Sequence, residues 1–137
     1  MAENIFVYGT LRSGEANDIT QVARRYGIAL PEYAGRASVT SYLHDFGNFP
    51  GLALDGRGVN VVGEIYRIAP QLLPILDEIE EFRPGRPSLF ERVETSISLG
   101  DQALTCHVYL IAGEEFRKHP LIGGGDWVAY RKGRSNP

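Results

Sequence analysis

Two alternating runs separated by a two-residue turn constrain this chain most. Val93, Thr95, Ile97 and Leu99 alternate with polar neighbours up to Gly100-Asp101, and Leu104, Cys106, Val108 and Leu110 alternate beyond it. Period-two patterning on both sides of so short a connection is the signature of a β-hairpin, whose register the turn then sets. The rest of the fold must supply a second layer for its apolar face.

Upstream, Ile5-Phe6-Val7-Tyr8 reads as a strand ended by Gly9, with a loop running to Gly14. Ile19, Val22, Ala23 and Tyr26 recur at helical spacing, predicting a helix over 16–26 with Gly27 in the terminator position. Alternation of Ala37, Val39, Ser41 and Leu43 predicts a strand over 34–43, and Val59 to Ile68 reads as the next strand. Between them, Asp45 to Gly58 is rich in Gly, Asn, Asp and Pro and reads as a long loop with a short extended piece around Leu52-Ala53-Leu54. Pro70 to Phe82 places Leu72, Ile75, Leu76 and Ile79 on one side of a second helix, with proline tolerated only in its first turn. The order is strand, helix, strands, helix, hairpin, without internal repeat, low-complexity segment or linker. At 137 residues this is one α+β domain with room for its own core, and alternating strands in so short a chain allow either an open sheet or closure into a barrel.

Composition excludes several functions. Apolar runs fall far short of the roughly 20 residues of a membrane helix. The N-terminus lacks a basic region ahead of an apolar stretch, so a soluble, cytoplasmic chain is expected. Cys106 is the single cysteine and the three histidines are scattered, which argues against a disulfide framework or a metal site. A net charge of -3 argues against a nucleic-acid partner, with Arg131-Lys132-Gly133-Arg134 as a frayed basic end. Cys106 and His107 are neighbours on one strand, point to opposite faces and cannot form a dyad; Cys106 is read as a core thiol.

Two segments carry chemistry. After the first strand, Tyr8-Gly9-Thr10-Leu11 can direct the amides of Gly9, Thr10 and Leu11 into one cavity as an anion-holding nest, or it is an ordinary glycine turn. It lacks the Gly-Lys-Ser/Thr ending of a phosphate loop. At the end of the second helix stand Asp77, Glu78, Glu80 and Glu81. At about 100° per residue, Glu80 lies roughly 90° from the centre of the apolar stripe and borders the core, whereas Asp77, Glu78 and Glu81 read as a solvated face. A carboxylate at the rim of an apolar cavity is either a poised acid/base or an inert salt-bridge partner.

These segments resemble the gamma-glutamylcyclotransferase-like family, small enzymes that release 5-oxoproline from gamma-glutamyl compounds. Tyr8 to Asn17 is similar to the family's opening motif, whose turn amides hold the glutamyl end of the substrate. Leu76-Asp77-Glu78-Ile79-Glu80 is similar to its Leu-Asp-x-x-Glu segment, which implies that Glu80 is the catalytic general acid/base. Val61 to Tyr66, Phe49-Pro50-Gly51-Leu52 and Gly123 to Trp127 resemble further family segments, the last with Trp127 in a packing role. Phe90-Glu91-Arg92 resembles the Tyr-x-Arg strand segment; Arg92 either orders the pocket or forms a plain salt bridge. Tyr109 lines the cavity or is a core tyrosine.

The family usually has Tyr at the Phe90 position and often Gly at that of Glu81, departures that bear on the local loop shape and on substrate choice. The resemblance implies a small mixed β-barrel flanked by helices, no metal or other cofactor, and a small-molecule gamma-glutamyl substrate. The rival reading is a binding protein that keeps the cavity for a carboxylated metabolite without turning it over, against which the intact Glu80 speaks. Neither the amide donor nor the oligomeric state is legible.

Overall fold

The computed structural model describes residues 2–53, 57–83, 85 and 87–134. The strands are β1 (Glu3–Val7), β2 (Glu32–Asp45), β3 (Pro50–Ala53), β4 (Val59–Ile68), β5 (Phe90–Leu99) and β6 (Gln102–Ile111). The helices are α1 (Ile19–Arg25), α2 (Leu73–Ile79), which follows a single 3-10 turn at Pro70–Leu72, and α3 (Trp127–Arg134). Among the described residues no helix is long and apolar enough to cross a membrane.

The hairpin forms as its alternation demands, β5 pairing β6 from Phe90 opposite Ile111 to Leu99 opposite Gln102. β4 has the expected bounds, and β2 is longer than expected at both ends because it pairs with β4 on one edge and β3 on the other. Within the long loop, the expected extended piece is β3; Leu54 lies outside the described residues.

Six strands make one mixed sheet in the order β3-β2-β4-β1-β6-β5. β1 lies in its middle, antiparallel to β4 and parallel to β6. A central strand is buried on both faces, and β1 accordingly sends Ile5 and Val7 into one core and Phe6 and Tyr8 into the other. The first core also takes α1 and α2, while the second takes Trp127 of α3.

The sheet is not the closed barrel that the family resemblance implied. Its edge strands β3 and β5 do not pair, and β3 has only four residues to offer. Where β2 curls back, side chains rather than backbones meet: a Cβ on Gly35 would lie 2.7 Å from Leu99 Cδ1. Closure needs a continuous hydrogen-bond ladder, and packing of this kind does not provide one.

The C-terminal basic segment is not the frayed end expected of it. It belongs to α3, and Arg131 binds both carboxylate oxygens of Glu15, at 2.8 and 2.7 Å.

Candidate active site

The turn after β1 is held by its carbonyls. Gly9, Thr10 and Leu11 accept from the amides of Arg12 (3.0 Å), Asn17 (2.8 Å) and Ile19 (3.0 Å). Their own amides donate to no described acceptor, so three donors stay available on one short stretch. Glycine at position 9 is required by a neighbour, since a Cβ there would stand 2.6 Å from Pro50 Cγ. Tyr8, buried, donates its hydroxyl to the Tyr109 carbonyl at 2.6 Å and accepts from the Leu52 amide at 3.2 Å, tying the turn to β6 and β3.

Arg12, which the sequence reading did not single out, joins three of the segments quoted above. Its Nε donates to Glu64 at 2.7 Å and its Nη1 to Asp126 at 3.0 Å. Glu64 also accepts from the Ser13 amide and the Tyr66 hydroxyl, and Asp126 caps α3 by accepting from the Ala129 amide. Burial alone would lower the pKa of Arg12, but its two carboxylate partners raise it; burial alone would raise Asp126, but the Ala129 amide and Arg12 hold it low. The cluster is an ion-paired clamp that fixes the back of the turn.

Glu80 is the C-cap of α2 in a Schellman motif: the Phe82 amide bonds to the Asp77 carbonyl (2.8 Å) and the Glu81 amide to that of Glu78 (3.1 Å). α1 ends in the same pattern through Ile28 and Gly27. There the left-handed position is Gly27, φ 67°; in α2 it is Glu81, φ 56°, which explains why glycine suits this place. The motif fixes the backbone at Glu80. No described residue gives its carboxylate a hydrogen bond or counterion, and burial pushes its pKa up to about 7.

The face that α2 buries differs from the expected stripe. Leu72, Leu73, Leu76 and Asp77 are buried, whereas Ile75 and Ile79 are only partly so, a rotation of roughly 80° at the usual helical pitch. This brings Glu80 near the middle of the buried face and overturns the solvated reading of Asp77. Its carboxylate accepts two bonds from Arg92, at 2.8 and 3.2 Å, and one from the Tyr109 hydroxyl, at 2.7 Å. Arg92 also donates to His107 Nδ1 at 3.0 Å. That leaves the His107 proton on Nε2, which is 3.7 Å from both Glu3 and Glu94. Arg92 is thus a pairing residue of the β5–β6 face, one of the two roles its motif left open.

Tyr8, Gly9, Thr10, Leu11, Glu80 and Tyr109 all line one cavity, together with Phe6, Val7, Phe49, Pro50 and Phe90; Arg92 does not. This narrow part holds about 20 Å³, room for about one water molecule, and shares Thr10, Phe49, Glu80 and Phe90 with a wider adjoining space of about 310 Å³. Phe49 and Phe90, ring centroids 5.7 Å apart, form an aromatic rim there. A poised carboxyl, three open amides and an otherwise apolar wall suit proton transfer on a small polar ligand. Among the described residues no group of His, Cys, Asp or Glu could hold a metal ion. Cys106 is a buried free thiol on the other core, as its strand position predicts.

Residues 5–129 match the family described as gamma-glutamyl cyclotransferase, AIG2-like. The chain belongs to this family of enzymes. It is 33% identical over 131 residues to the gamma-L-glutamyl-butirosin B gamma-glutamyl cyclotransferase of Niallia circulans, covering 93% of this chain and 77% of that one. Over 123 residues it is 33% identical to the gamma-glutamylaminecyclotransferase of Rattus norvegicus, covering 80% and 78%. The crystal structure of an AIG2-like protein from Mus musculus superimposes with a TM-score of 0.72 at 30% identity, over 88% of this chain and 85% of that one.

Proposed function

We propose that this enzyme cyclises the gamma-glutamyl group of a gamma-glutamyl amide, releasing 5-oxoproline and a free amine, with Glu80 as general acid/base. One observation carries the reading: a carboxyl without a described partner, held near neutral pKa, shares a small apolar cavity with the open amides of Gly9, Thr10 and Leu11. The relatives' names supply the gamma-glutamyl donor.

The amides of the turn hold substrate oxygens, as a nest of backbone donors does for anionic groups. The substrate's α-amine nitrogen and its own side-chain carbonyl carbon close a ring of five atoms, so the protein has mainly to fold the chain and move protons. Ionised Glu80 takes a proton from the attacking amine as the new C–N bond forms. Protonated Glu80 then gives it to the departing nitrogen as the old C–N bond breaks. No water is consumed, and the apolar rim of Phe49 and Phe90 favours ring closure over hydrolysis. Tyr109 is a positioning residue, its hydroxyl committed to Asp77.

The test is 5-oxoproline release from a panel of gamma-glutamyl amino acids, amines and isopeptides, with Glu80→Gln beside the parent. Release that disappears in a folded Glu80→Gln protein is the expected result. Saturable binding of a donor with no release from any would instead identify a binding protein.

A further inference from the structure

Glu81 occupies the left-handed position that closes α2, at φ 56°, the one described non-glycine residue with positive φ. Glycine would remove the strain, and α1 uses glycine at the equivalent place. The side chain kept at this cost is exposed, stands on the wall of the wider space and has no hydrogen bond or ion pair with a described residue. Beside it this space is lined by Asn17, Asn48, Ile79 and Leu89, and no described residue of its wall is cationic. Glu80 and Thr10 line both spaces, so a donor whose glutamyl end reaches the turn amides from the wider space keeps its departing amine on the side that Glu81 lines.

We infer that Glu81 sets leaving-group specificity: it favours donors whose departing amine carries a second ammonium at the far end of a short aliphatic chain, over donors that release a carboxylate-bearing amino acid. The inference rests on the cyclotransferase reading of the site. The aliphatic stem lies along Ile79 and Leu89, the distal ammonium meets the Glu81 carboxylate, and a carboxylate in its place meets like charge without a described counterion.

Three donors of matched length test this: the gamma-glutamyl amides of butylamine, diaminobutane and aminobutyrate. An exposed ion pair predicts kcat/KM for the diaminobutane donor roughly two- to fivefold above the butylamine donor, with aminobutyrate below both. In Glu81→Gln the ratio falls towards one, in Glu81→Lys the order of the two charged donors reverses, and in the parent the preference shrinks at about 0.5 M salt. Equal rates for all three donors in the parent, or a preference that survives both substitutions, would overturn the inference while leaving the cyclotransferase reading intact. If no donor yields 5-oxoproline, that reading fails instead, and the same ranking measured as binding affinity by calorimetry still decides the role of Glu81.

Discussion

Replacing Glu80 by glutamine should make the protein more stable in alkali while removing its chemistry. The ordinary value for this side chain is 4.5, and burial raises it to about 7 in the folded protein. A carboxyl with a raised folded pKa binds its proton more tightly in the native state. Stability is therefore highest below the unfolded value and falls as pH climbs through the interval to the folded one.

At about 1.4 kcal/mol per pH unit, that interval corresponds to about 3 kcal/mol. Residual contact with water at the cavity mouth reduces it to roughly 1–3 kcal/mol. Glutamine keeps the shape and does not titrate. In urea unfolding from about pH 5 to about pH 8.5, the variant's stability relative to the parent should rise with pH by that amount, a midpoint change on the order of 1 M. Groups common to both proteins cancel in the difference. A difference flat to within about 0.5 kcal/mol across this range would show that Glu80 ionises as freely as in the unfolded chain, and would refute its poised state.

On the proposed mechanism, kcat/KM for 5-oxoproline release rises with pH through a limb near 7 as Glu80 ionises; an acid limb near the ordinary carboxyl value would show that burial does not hold its proton. Arg12→Met removes the shared counterion of the partly buried Glu64 and Asp126 and should cost about 2–4 kcal/mol, measured by thermal or urea unfolding. A loss below about 1 kcal/mol would show that the clamp does not hold the turn. Asp77→Asn and Tyr109→Phe should each destabilise, by roughly 2–4 and 1 kcal/mol, and a double-mutant cycle should give a coupling above about 0.5 kcal/mol. Additive losses would mean that the hydroxyl and the carboxylate act independently.

What is local was legible in the sequence. Period-two alternation identified the hairpin and the body of β2 because successive side chains of a strand point to opposite faces whatever its partner. Gly27 marked the end of α1 because only a left-handed residue completes that cap. The turn at Tyr8 to Leu11 and the Glu80 carboxylate could be named as candidates from their motifs, and the fold brings them to one cavity.

What depends on distant partners was decided by the tertiary structure. The central place of β1 and the open edges of the sheet follow from pairings between segments far apart in the chain. The face α2 buries brings Asp77 to Arg92, which pairs with its carboxylate, and to Tyr109, whose hydroxyl donates to it, so an acid enters the core where helical periodicity expected it in water. Arg12 bonds to carboxylates 52 and 114 positions away, a match of charge and geometry that leaves no trace in spacing, because ion pairs depend on distance in space and not along the chain.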